Sequence, residues 1–308
     1  MFLRDNVHKL FFSKNTAFEF IYIKLLHINN CKVKLFILYE ITCTHRAEFI
    51  ELPEISEDRE TFDKIFKILD DLDIKYFFYI GGNDSMDTIK KLSDYAIVTG
   101  SDIKFMGVPK AIDNDLAVTD HTPGFGSAAK FIAATMKEII RDGLVYDYPT
   151  VTIVEIMGRN AGYIALWCGI ANGAEDILLP EKYDYDEQKI INNIIENRRK
   201  GKKHHIIVNA EGIGHSTSMA RRIEAATGIE ARATILGHMQ RGGSPTCKDR
   251  VYASIMGAYA VDLLCAGKTN RVVGYQNGRF MDMDIDEGLA MTKDIDEYQL
   301  QIAHLLGK

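Results

Sequence analysis

The feature that most constrains this chain is an alternation of two periodicities that starts near residue 60. Phe62, Ile65, Phe66, Leu69 and Leu72 recur at steps of three and four, the spacing of one apolar face on a helix. A short apolar run follows, Tyr76 to Ile80, and ends in Gly81-Gly82. Asp84 or Ser85 is then expected to cap a second helix beginning at Met86. The pattern repeats, with strands expected at Ile103–Val108, Val151–Met157, Ile177–Leu179, His205–Asn209, Thr234–Leu236 and Arg271–Tyr275. Helices are expected between them at Ala128–Arg141, Tyr163–Ala171, Glu187–Lys200, Met219–Thr227 and Val251–Cys265. Strands that are apolar on both faces, alternating with helices, predict an α/β fold: doubly wound sheets with helices on both faces. In such sheets ligands bind beyond the carboxyl ends of the strands, so the residues after each strand carry the functional argument.

Composition excludes more than it assigns. Over 308 residues, 37 Lys and Arg stand against 43 Asp and Glu, a net charge of −6 that predicts neither a nucleic-acid nor a membrane surface. Five cysteines are scattered and odd in number, without a C-x-x-C pair, so neither a disulfide framework nor a zinc site is expected, and a reducing cytoplasm is. The most apolar stretch, Leu10 to Ile41, is broken by Lys14, Glu19, Lys24, His27, Lys32 and Lys34, which argues against a membrane span or a signal peptide. The first fifty residues are rich in Phe, Ile, Asn and Lys, carry no glycine, and receive no role.

Several loops after strands hold residues suited to phosphate chemistry. Gly81, Gly82, Asn83, Asp84 and Ser85 open a helix, where paired glycines and the helix N-terminus can cradle a phosphate; a tight turn with a cap uses the same residues. Lys110, Ala111, Ile112, Asp113, Asn114 and Asp115 bring two carboxylates and a lysine into one loop, enough for a general base, a metal contact and an anion contact. A solvated turn-rich loop reads the same way. Met157, Gly158 and Arg159 end another strand, and Glu211 closes a further one with a carboxylate suited to sugar hydroxyls or simply to solvent. Arg232, His238 and Arg241 surround a glycine-rich turn with Met239 and Gln240, and two guanidinium forks with a histidine match a phosphomonoester.

Taken in order, GGNDS, PKAIDND, TPGFGSA, EIMGRNAGY, NAEG and ATILGHMQRGGSP resemble the phosphofructokinase family from about Arg46 to near the C-terminus. The resemblance implies Rossmann-like sheets in two subdomains with the active site between them. Residues 1–50 stay unassigned, and 51–308 form the family-like region. Its donor-side part covers about 51–120 and its sugar-phosphate part about 121–260, before a C-terminal return to the first subdomain. It also implies phosphorylation of fructose 6-phosphate at the 1-hydroxyl, in glycolysis, with Mg2+ and either pyrophosphate or ATP, by a homodimer or homotetramer.

By the same resemblance Asp113 is the catalytic base, with Asp115 and Lys110 beside it. Ala111, Ile112, Met157, Gly158, Arg159 and Glu211 hold the sugar, and Arg232, His238, Met239, Gln240 and Arg241 the 6-phosphate side. Gly81, Gly82, Asn83, Asp84 and Ser85 hold the donor, with Asp84 as the metal carboxylate because Asn83 takes the usual ligand's place. Asp84 where ATP-using members carry glycine, together with Lys110, is similar to pyrophosphate-dependent members, since an acid there crowds and repels the α-phosphate of ATP. Three further departures are Ala111 for a threonine, Thr150 for an arginine of many bacterial ATP-dependent members, and an opening segment to about Thr44 that lacks the family's first strand and Gly-rich donor loop. That opening is expected to be a replacement or the product of a changed upstream reading frame. ATP as donor, or a sugar-phosphate-binding subunit with impaired catalysis, are the alternatives.

Overall fold

A computed structural model describes residues 52–182 and 186–307, together with the backbone of three strands before them. Those strands are β1 (His8–Leu10), β2 (Ile21–Ile28) and β3 (Cys31–Ile37). The expectations for the rest of the first fifty residues lie outside the described ones. The alternating region then runs α1 (Arg59–Asp71), β4 (Tyr76–Gly81), α2 (Asn83–Thr99), β5 (Lys104–Pro109), α3 (Phe125–Gly143) and β6 (Thr150–Ile156). It continues α4 (Tyr163–Asn172), β7 (Asp176–Leu178), α5 (Glu187–Arg199), β8 (His204–Ala210), α6 (Ser216–Thr227) and β9 (Glu230–Ile235). Last come α7 (Cys247–Cys265), β10 (Arg271–Gln276), β11 (Arg279–Asp284), α8 (Ile285–Ala290) and α9 (Glu297–Leu306).

The chain divides into two compact units. One comprises residues 1–111, 116–123 and 247–292, built on a sheet of order β1-β2-β3-β4-β5-β10-β11. From β3 to β10 the neighbours are parallel, and β10 turns back antiparallel into β11. Strand period explains its two-sided burial. Phe105 packs with Phe62, Phe66, Leu69, Ile89 and Leu92 of α1 and α2, whereas Phe78, Met106 and Val108 meet Met256, Ala260 and Leu264 of α7. Each fully buried large side chain of this kind stabilises the fold by roughly 1.5–3 kcal/mol. The β10–β11 hairpin, not expected from periodicity, turns on Asn277 and Gly278, both in the left-handed region (φ 50 and 82°) as such a turn requires.

The second unit comprises residues 112–115, 124–246 and 293–308. Its four strands are all parallel, in the order β7-β8-β6-β9. Val151, Ile153 and Ile207 pack with Ile190, Ile194, Met219 and Ile223 of α5 and α6. Val154 and Ile156, on alternate positions of β6, are equally buried, and α3 and α4 pack on β6 and β8. Burial of both faces is why Val151, Ile153 and Val154 of β6 and Ile206, Ile207 and Val208 of β8 are apolar at neighbouring positions.

One capping expectation is corrected. The second helix starts at Asn83, not Met86, and its cap is Gly82, which offers no side-chain acceptor. Asp84 lies in the first turn and Ser85 is fully buried there, because the chain enters the helix directly from β4 without an intervening loop. Among the described residues no helix is long and apolar enough to cross a membrane.

Candidate active site

In the first unit, β4 and β5 run in register so that Gly81 pairs with Pro109. The Lys110 amide donates to the Gly81 carbonyl at 2.8 Å, and a Cβ placed on Gly82 would lie 3.7 Å from that of Ala111. The fold therefore brings Gly81, Gly82, Asn83, Asp84 and Ser85 beside Lys110 and Ala111. The cap position is glycine, so no side chain covers the positive end of α2 there.

The second unit gathers the other loops. Strand β6 ends at Ile156, whose carbonyl accepts the Glu211 amide at 2.8 Å, so the turns after β6 and β8 lie side by side. Glu211 Oε1 then accepts two amides, Gly158 N at 3.0 Å and Arg159 N at 2.5 Å. That double acceptor holds an unusual backbone: Arg159 has φ 52°, left-handed and costly for a residue with a Cβ. Gly158 is forced by close approach, since a Cβ there would sit 2.2 Å from the Ala161 carbonyl oxygen. Gly212 is likewise constrained, with Arg159's carbonyl oxygen 2.5 Å from where its Cβ would be. On the other side of the strand end, Gln240 is buried; its Oε1 accepts the Met157 amide at 3.0 Å while its amide donates to Gly237 at 3.0 Å.

Ile112, Asp113, Asn114 and Asp115 belong to this unit although the residues on either side belong to the first. Asn114 is buried and left-handed (φ 55°). Burial pushes the Asp113 carboxyl up to about 6, with repulsion from Asp115 and Glu211 adding to it and Arg159 and Arg241 opposing. Asp113, Asp115, Arg159, Glu211 and Arg241 are thus one electrostatic group. A carboxyl that burial and neighbouring carboxylates raise to about 6 is suited to accepting a proton near neutral pH.

The remaining predicted residues are placed differently. Arg232 is exposed on β9, ion-paired with Glu230, and its guanidinium lies 5.7 Å from the ring centre of Tyr146. None of these contacts joins it to Asp113. His238 and Met239 are exposed in the turn after β9, which forms a short 3₁₀ helix, Gly237–Arg241. Thr150 opens β6 and its hydroxyl lies 3.1 Å from His204 Nδ1. The TPGFGSA segment enters α3 through Gly124, and just before it His121 Nε2 lies 2.7 Å from Asp249 Oδ1, both buried.

Two residues were missed. Lys293 donates to the Asn114 carbonyl at 2.7 Å, and Tyr163, named only as a helix start, donates its hydroxyl to the Lys293 carbonyl at 2.6 Å. No local motif announces a contact spanning 179 positions.

Mg2+ is typically bound by one or two carboxylates together with substrate phosphates and water. Among the described residues no group of three or more His, Cys, Asp or Glu is assembled for a metal. The close carboxylates Asp113 and Asp115 fit that sparser mode, as does Asp84 in the first turn of α2.

Residues 44–264 match the family model described as Phosphofructokinase. The ATP-dependent 6-phosphofructokinase of Clostridium botulinum (strain Hall) is 45% identical over 246 residues, covering 80% of this chain and 74% of that protein. The ATP-dependent 6-phosphofructokinase 1 of Clostridium perfringens is 44% identical over 252 residues, covering 82% and 76%. Among solved structures, the pyrophosphate-dependent phosphofructokinase of Marinobacter aquaeolei superposes with a TM-score of 0.71 at 28% identity, covering 80% of this chain and 70% of that one. With ordered loops, matched sheets and relatives agreeing over four-fifths of its length, the chain belongs to the phosphofructokinase family.

Proposed function

We propose that this protein transfers a phosphoryl group to the 1-hydroxyl of fructose 6-phosphate, with Asp113 as the base. The observation that carries the reading is the Asp113 group: a carboxyl raised to about 6 beside Asp115, Arg159, Glu211 and Arg241. The sugar hydroxyl oxygen attacks phosphorus, its proton passes to Asp113, and the bond to the donor's bridging oxygen breaks, releasing the shortened donor. Phosphoryl transfer asks for in-line placement and neutralised charge more than for covalent chemistry. Glu211 and Arg159 orient the sugar, and Arg241 faces its phosphate. Mg2+, held through Asp115 or Asp84 and the donor's oxygens, would offset the charge on the transferred group. Arg232 and His238, exposed and outside the Asp113 group, suit a 6-phosphate presented by a second copy of the chain in a cytoplasmic homo-oligomer.

For the donor we favour pyrophosphate. Asp84 stands in the first turn of α2, where it repels the α-phosphate of ATP, and Lys110 lies on the adjoining strand end to pair with pyrophosphate. A second reading, ATP, is favoured by the names of the relatives at 45 and 44% identity. A coupled assay on the full chain with both donors at matched concentration decides between them. Asp84→Gly is expected to move the ratio of kcat/KM values toward ATP by at least about 10-fold. Fructose 6-phosphate binding without turnover by either donor would overturn the kinase reading.

A further inference from the structure

Asn114 separates the two carboxylates of the reacting loop, and its backbone is left-handed and buried. The direction in which the chain leaves Asp113 and arrives at Asp115 depends on that single pair of dihedral angles. Its carbonyl, turned into a buried setting, needs a donor. The donor is Lys293 Nζ at 2.7 Å, a charge-assisted bond from a residue 179 positions away. Lys293 is itself held twice: Tyr163's hydroxyl donates to its carbonyl at 2.6 Å, and its ammonium lies 5.1 Å from the centre of the Tyr163 ring. Burial, then the charges of Glu181, Asp294 and Asp115, push the Tyr163 phenol well above its ordinary range, so it stays a donor at every working pH. Segments 112–115, 163 and 293 therefore meet at one point inside the second unit.

We propose that Lys293 is a positioning residue for phosphoryl transfer, fixing the left-handed turn at Asn114 so that Asp113 and Asp115 keep their working separation. Tyr163 acts one step behind it, fixing Lys293. The proposal rests on Asp113 being the base. Lys293 touches a main-chain carbonyl, so its loss loosens the base without removing any contact the proposed site makes with fructose 6-phosphate. Misplacing a reacting group by about 1 Å costs on the order of 100-fold in rate.

The test uses the full chain, its better donor, and the variants Lys293→Met, Lys293→Arg, Tyr163→Phe and Asp113→Asn. Lys293→Met is expected to lower kcat by about 10- to 100-fold while KM for fructose 6-phosphate stays within about threefold. Lys293→Arg, which keeps a cationic donor, is expected to recover most of that rate, and Tyr163→Phe to lose about three- to tenfold in kcat alone. A Lys293→Met rate within about twofold of the parent, a loss that arginine does not restore, or a loss expressed in KM overturns the proposal. If thermal melting shows Lys293→Met unfolded, Tyr163→Phe decides: a kcat loss at unchanged KM supports the proposal and an unchanged kcat overturns it. A parental rate in Asp113→Asn overturns the base reading and the positioning proposal with it. An inactive Asp113→Asn beside an unaffected Lys293→Met overturns the positioning proposal alone.

Discussion

Two regions of the second unit, each proposed to face an anion, are built on opposite plans. Around Asp113, main-chain groups are committed before any substrate arrives: Glu211 takes the amides of Gly158 and Arg159, Gln240 that of Met157, and Lys293 the carbonyl of Asn114. Around Arg232 and His238 the side chains are exposed, and the guanidinium rests on Glu230 and Tyr146. The first plan suits charge that develops during a reaction, because dipoles already in place need no reorganisation. The second suits a ligand phosphate, whose charge is permanent and which can exchange with one surface ion pair.

On that contrast, the first region is expected to govern rate and the second affinity. Asp113→Asn is expected to lower kcat about 10²- to 10⁴-fold, measured by the coupled assay at saturating substrate. It should also stabilise the protein. The folded-state value near 6 lies above the ordinary 3.8, so the carboxyl favours folding most below pH 3.8, and that contribution is lost as pH rises through about 6. At pH 7 the asparagine variant escapes a cost on the order of 3 kcal/mol, seen as a thermal midpoint several degrees higher. A lower midpoint would mean that Asp113 is structural rather than strained.

Glu211→Ala strands two amides and frees a left-handed arginine. The expected result is a kcat/KM for fructose 6-phosphate lower by about 10- to 100-fold and a stability loss of roughly 1–3 kcal/mol. An unchanged kcat/KM would remove Glu211 from the sugar site. Arg232→Ala is expected to raise KM about 10-fold with kcat and thermal midpoint unchanged, and an equal fall in kcat would erase the contrast between the two regions. The smallest effect is one of pH. In the parent, kcat/KM should rise with pH and level off above about 6 as Asp113 loses its proton. A profile flat from pH 5 to 8 would assign the base elsewhere.

The fold was legible where both faces of a strand are buried. Val151, Ile153, Val154 and Ile156 announce β6 because side chains on both faces of this central parallel strand are buried. Strand β11 was not, since its residues Arg279–Asp284 are mostly half-exposed and carry no continuous apolar run. Helix α2 was legible as a helix but not at its start, because the cap is the backbone of Gly82 rather than a side chain. Of the candidate site, the sequence showed residue types and their position after strands: the carboxylates of PKAIDND, the arginine of MGRN and the glutamate of NAEG follow β5, β6 and β8. It did not show their partnership.

The sequence by itself singled out the loops proposed for phosphate chemistry, because ligands of a parallel α/β fold bind beyond the carboxyl ends of its strands and these glycines, carboxylates and arginines follow apolar strands directly. Tertiary structure alone decided what those residues do to one another. It sets Arg159 in a left-handed turn held by Glu211, drops Ile112–Asp115 into the second unit, and brings Lys293 onto Asn114. The reason is range: residue type and spacing report interactions within a few positions along the chain. The burial that raises Asp113, and the hydrogen bond that holds its turn, come from segments that only folding makes neighbours.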